Sequence, residues 1–91
     1  MSFAMGFTPT SMTTAKYDEV MRRLEAAGVG MPDGRLYHVC YGDPNGLRVV
    51  DVWETMEKFD AFGAVLLPIL SSLGIDVGTP DVREVHNIVE G

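Results

Sequence analysis

The stretch from Leu47 to Gly74, LRVVDVWETMEKFDAFGAVLLPILSSLG, leaves the chain little choice of architecture. Val49, Val50, Val52 and Trp53 form a short β-branched and aromatic run broken only by Asp51, as suits a pleated strand. Apolar residues at both parities imply a strand covered on both faces. Thr55 stands where a helix N-cap belongs, and Glu57 in the first turn complements the helix dipole. Phe59, Phe62, Leu66, Ile69, Leu70 and Leu73 then recur at three- and four-residue spacing, which draws one apolar stripe down a helix. Gly74 supplies a left-handed stop. Pro68 removes a backbone donor inside this helix and predicts a kink, or a switch to a shorter second helix near Leu67.

The rest of the chain arranges itself around that unit. Ser2 to Thr8 alternates Phe3, Met5 and Phe7 with small residues and reads as a first strand. Thr13 or Thr14 caps a helix whose apolar stripe is Tyr17, Val20, Met21, Leu24 and Ala27, with Gly28 as its end. Gly28-Val29-Gly30 follows a helix and precedes Pro32, so it is not a nucleotide-binding loop. Arg35 to Gly42 is a second strand, and Asp43-Pro44-Asn45-Gly46 is a strong turn signal, which makes the second and third strands a hairpin. Ile75 to Pro80 is a linker, and Val82 to Val89 alternates well enough for a last strand. The order β-α-β-β-α-β predicts an α+β, ferredoxin-like sandwich: a four-stranded antiparallel sheet with two helices on one face. Its other face would be apolar and bare, which predicts a homodimer packed sheet to sheet.

Ninety-one residues make one domain, residues 1–91, with a modest core for its surface. A single cysteine, Cys40, excludes an intrachain disulfide, and one Cys with two His cannot frame a structural zinc site. The opening MSFAMGFTPTSMT has neither the basic residues nor the apolar length of a signal peptide, and no run reaches membrane-spanning length. The expectation is a cytoplasmic protein without a membrane association. Net charge is −6 and the seven basic residues are scattered, which argues against a nucleic-acid partner.

The Val-Asp-Val-Trp-Glu-Thr strand end (Val50 to Thr55), the Phe-x-x-Phe and Leu-x-Pro helix (Phe59 to Pro68) and the closing Val-His-Asn (Val85 to Asn87) resemble the dimeric α/β-barrel superfamily. Within it the chain is similar to small bacterial proteins related to antibiotic-biosynthesis monooxygenases. The resemblance covers nearly the whole chain and implies a pocket between sheet and helices in each protomer of a dimer. Members of that superfamily include cofactor-free monooxygenases of aromatic polyketides, haem-degrading enzymes, lactone isomerases and dehydratases. The haem-degrading branch pairs a strand-end Trp with a helix His about ten residues on. Here Phe62-Gly63 follows Trp53 at that distance and neither helix carries a histidine, so the resemblance does not extend to that ligand. If the chain is an enzyme, the expectation is a cofactor-free monooxygenase-like oxidoreductase or isomerase that needs no metal.

Polar residues inside apolar strands are the informative ones, because burying them without a partner is costly. His38, Asp51, His86 and Asn87 qualify, with Tyr37 and Trp53 as aromatic neighbours. A two- or four-residue hairpin loop puts His38 on the face of Asp51 and Trp53; a three-residue loop with a bulge at Gly46 puts it on the opposite face. The first register is favoured, since it gathers His38, Asp51 and Trp53 and leaves Tyr37, Val39, Val50 and Val52 for a dimer face. The candidate catalytic residues are then His38, Asp51 and His86. Imidazole titrates near pH 6.5 and serves as a base at neutral pH, and a carboxylate orients it. Trp53, Tyr17, Phe59, Phe62 and Asn87 are the candidate contacts to a small aromatic ligand. A phenol or enol deprotonated there is electron-rich enough to react with oxygen directly.

Each of these residues also has a structural role open to it. A strand histidine is often held by hydrogen bonds, Asp51 could anchor an arginine such as Arg35, and Trp53 with the helix phenylalanines could be core. Cys40 reads as a small buried apolar residue. The second functional reading is accordingly a non-catalytic homodimer that binds a small ligand or serves assembly.

Overall fold

A computed structural model describes residues 1–91. Six elements follow the expected order: β1 (Phe3–Phe7), α1 (Thr14–Ala26), β2 (Arg35–Asp43), β3 (Gly46–Trp53), α2 (Met56–Ser72) and β4 (Asp81–Glu84). The strands form one antiparallel sheet in the order β2-β3-β1-β4, the arrangement of a ferredoxin-like α+β fold. Both helices pack on one face of it.

Local chemistry sets each helix start. The hydroxyls of Thr13 and Thr55 accept from the amides of Lys16 and Lys58, which satisfies one otherwise unpaired donor at each N-terminus. Gly28 and Gly74 follow the helix ends at φ +79° and +71°, a conformation that a side chain resists. Across the helix pair, the Arg23 guanidinium donates to the Ser72 hydroxyl at 2.8 Å.

Period-two alternation puts Met5 of β1 and Leu47, Val49, Asp51 and Trp53 of β3 under the helices, where all are buried. Val20 and Leu24 of α1 and Phe62 and Leu70 of α2 close on them. Fully burying one such side chain contributes about 1.5–3 kcal/mol, so these few residues carry much of a core this small. Trp53, at 0% exposure, sits at its centre, with Phe59 edge-on at 5.6 Å and Phe62 at 5.4 Å between ring centroids.

Of the two outcomes open at Pro68, the switch to a second helix near Leu67 does not occur: α2 runs through Pro68 to Ser72 as one element. Ala64, Leu67 and Pro68 are exposed, so the carbonyl freed by the proline faces water, while Ile69 and Leu70 still hold the stripe on the core. The last strand stops at Glu84 instead of continuing to Val89. Its only neighbour is β1, whose register ends at the Phe3–Glu84 pair, and one further bond, from the Val85 amide to the Ser2 carbonyl, exhausts the partner strand.

The opposite sheet face carries Ala4 and Gly6 at its floor, with Val39, Val50 and Val52 around them. Tyr37 and Tyr41 stand on it 56% and 48% exposed. No helix of the fold is long and apolar enough to cross a membrane.

Candidate active site

The β2–β3 turn decides what the sheet can present to the helices. Asp43 pairs with Gly46, so the loop is the two residues Pro44 and Asn45, and the register then sets His38 opposite Asp51 and Cys40 opposite Val49. That is the parity favoured from the sequence. A shift between Arg35 and Tyr37 makes room for one extra residue, Leu36, and returns Arg35 to the helix-covered face opposite Trp53.

Three side chains from three elements join in one line. His38 Nδ1 lies 2.5 Å from Asp51 Oδ1, and His38 Nε2 lies 2.6 Å from the hydroxyl of Tyr17 on α1. An ionised carboxylate only accepts, so the neutral imidazole keeps its proton on Nδ1 and offers Nε2 to the Tyr17 O–H. The two rings are within 6° of parallel with centroids 6.0 Å apart, so with this short bond they meet edge to edge. The second Asp51 oxygen accepts from the Trp53 indole N–H at 3.3 Å. Asp51 is thus 6% exposed with both oxygens engaged, which is how a carboxylate is kept in an apolar layer.

Burial pushes the Tyr17 phenol above its ordinary pKa; the negative ends of Cys40, Asp51 and Asp18 add to this, and Arg35 opposes it. Tyr17 therefore rests as a neutral hydroxyl. Burial likewise raises the Cys40 thiol, with Asp18 contributing, so Cys40 stays a protonated and weakly reactive neighbour.

The line opens onto a cavity of about 490 Å³ between sheet and helices. Tyr17, His38, Asp51, Phe59 and Phe62 all line it, and most of the remaining wall is apolar. This volume is in the range that holds a small organic molecule. Trp53 is not on the wall but behind it, supporting Phe59 and Phe62 and holding Asp51.

His86 and Asn87 are not brought to this cavity. Both lie exposed in the segment after β4, where the sheet has no strand left to pair them. Asp51 does not anchor Arg35, because His38 and Trp53 occupy it. Arg35 itself, which sequence reasoning offered only as a structural partner, is the one lysine or arginine on the cavity wall. Nowhere in the fold do three His, Cys, Asp or Glu side chains converge as a metal-ligand set.

Solved structures with this architecture cover nearly the whole chain. A cofactor-independent oxygenase from Streptomyces nogalater, SnoaB, matches with a TM-score of 0.62 at 19% identity over 99% of this chain and 96% of its own. A protein from Deinococcus radiodurans assigned as an antibiotic biosynthesis monooxygenase matches at 0.63 and 14% identity, over 99% and 97% of the two chains. One from Chloroflexus aurantiacus with the same assignment matches at 0.63 and 15% identity over 100% of both. The chain shares their fold. No family model and no curated protein sequence matches it.

Proposed function

We propose that the protein is an oxygenase-like enzyme that removes a proton from a flat phenolic or enolisable compound and lets the resulting anion react with dioxygen. The observation that carries this reading is His38, fixed between Asp51 and Tyr17 on the wall of an apolar cavity. The kinship in fold with a cofactor-independent oxygenase supports it.

His38 is the base and Asp51 its positioning partner, which holds the tautomer and balances the imidazolium that forms. The substrate reaches Nε2 through Tyr17: as the phenol passes its proton to Nε2, the substrate proton moves to the phenol oxygen. Tyr17 suits that task because burial keeps it from ionising at rest, so it hands protons on and does not act as a standing base. Phe59 and Phe62 hold the flat ligand and keep water out, which strengthens charge interactions inside.

For an acidic methylene flanked by aromatic rings, the carbanion adds to dioxygen as a peroxide anion. Loss of water then leaves a carbonyl: one oxygen atom of dioxygen stays on the carbon and the other departs as water with the two substrate hydrogens. The test is oxygen uptake with tricyclic anthrones and hydroquinones. Uptake above the buffer rate, with one quinone formed per dioxygen and loss of that rate in His38→Ala, supports the assignment. Uptake at the buffer rate for the whole panel overturns it.

The assembly that completes the fold is a homodimer through the open sheet face. Its Ala4 and Gly6 floor is flat enough for close approach, and Tyr37, Val39, Val50 and Val52 form an apolar patch that can pair with its own copy across a two-fold axis. The resemblance to the dimeric α/β-barrel superfamily points to the same occupant.

A further inference from the structure

One charged residue on the cavity wall takes no part in the proton relay. Arg35 opens β2, and the bulge at Leu36 turns it to the helix-covered face. It lines the cavity, half-buried, with its guanidinium carbon 5.9 Å from the centroid of the Phe62 ring. Its side chain makes no hydrogen bond and no ion pair; Arg22, Arg23, Lys58 and Arg83 have carboxylate partners, and Lys16 and Arg48, which are also unpaired, do not line the cavity. The two carboxylates on the cavity wall do not take that role. Asp51 is engaged by His38 and Trp53, and Asp60 is exposed and has no salt bridge.

A guanidinium with no protein partner on the wall of a largely apolar cavity is suited to take its partner from a bound anion. The Phe62 ring lies on one side of the guanidinium in a cation–π contact, and no protein acceptor takes its N–H groups. Arg35 and Tyr17 line the same cavity, so one small molecule filling it can meet both.

We infer that Arg35 is the anion-recognition residue of this cavity and that its ligand is a flat aromatic compound bearing a carboxylate or a readily ionised enol. The apolar wall takes the ring system, Arg35 takes the anionic group, and Tyr17 faces the proton to be lost. This inference rests on the substrate-site reading but makes a separate claim about ligand charge.

The test uses the lone Trp53, whose packing on Phe59 and Phe62 makes its fluorescence a reporter of cavity filling. 2-Naphthoate and its neutral counterpart 2-naphthamide are titrated into the wild type, Arg35→Gln and Arg35→Lys, each first checked for folding by circular dichroism. The wild type binds the carboxylate about tenfold or more tightly than the amide, as expected for a charge-assisted contact. Arg35→Gln loses that preference while amide binding is unchanged, and Arg35→Lys keeps part of it. Equal binding of carboxylate and amide by the wild type overturns the inference while leaving the cavity as a ligand site. If neither probe binds, the cavity reading and this inference fall together. Charge-selective binding without oxygen uptake by any phenol upholds Arg35 and refutes the oxygenase chemistry alone.

Discussion

His38 and Asp51 are cross-strand partners whose side chains meet at 2.5 Å on the helix-covered face of the sheet. A two-residue turn places them there, and the α1 residue Tyr17 completes the line from the opposite layer. Sheet register and helix packing must both be right for these three groups to touch. The site is therefore a sensitive report on the fold as a whole.

Removing Asp51 should be costly in two ways. Asp51→Ala leaves the Trp53 indole N–H and the His38 Nδ1–H without acceptors. Each orphaned donor costs about 1–3 kcal/mol. Chemical denaturation should show the midpoint falling with little change in slope. Asp51→Asn should keep more of the stability, yet lose about a hundredfold or more in turnover, because an amide no longer fixes the imidazole tautomer.

Trp53→Phe keeps a phenyl ring against Phe59 and Phe62 but removes the donor to Asp51 and part of the indole's volume at a fully buried position. A net loss of about 2–4 kcal/mol is expected in chemical denaturation, with a smaller effect on turnover than either change at Asp51. A loss well under about 1 kcal/mol would mean that neither the N–H nor the packing of the indole contributes as described.

Tyr17 should show itself in alkali. Its folded pKa lies above the ordinary 10.0, chiefly through burial, so the fold favours the neutral phenol. That stabilisation is complete below the unfolded pKa and is lost as pH rises through the folded one. Ultraviolet titration of the three tyrosines should resolve one that ionises late. Tyr17→Phe should remove that step and flatten the fall in stability above about pH 10.

The open sheet face gives a prediction about size. Light scattering at micromolar concentration should return twice the mass of the chain. Val52→Asp, in the middle of the proposed contact, should return the mass of one chain while the far-ultraviolet spectrum stays native. A wild-type monomer would leave the exposed Tyr37 and Tyr41 without a partner.

The sequence made the architecture legible because its signals were local. Thr55, the apolar stripe of α2 and Gly74 fix a helix whatever it packs on, and Asp43 to Gly46 fixes a turn. His38, Asp51 and Trp53 could be grouped from strand parity alone, once the turn was read as two residues. The Tyr17–His38 bond could not, since it depends on how far α1 sits from the sheet and how it is rotated about its axis. From the sequence Tyr17 could therefore be proposed only as a candidate ligand contact, and its place in the hydrogen-bonded line came from the fold. Arg35 was hidden by a bulge that no residue pattern announces. His86 and Asn87 were misplaced because alternation suggested a strand, while the limit came from the length of its partner β1.

Proton abstraction can be measured apart from oxygen chemistry, and this is the most direct test of the site. An anthrone is incubated in D₂O under argon with the wild type or His38→Ala, and loss of its methylene proton signal is followed by NMR. The wild type should exchange those protons faster than His38→Ala by about a hundredfold or more, the scale of a positioned general base. Equal exchange by the two proteins, both folded, would contradict the assignment of His38 as the base.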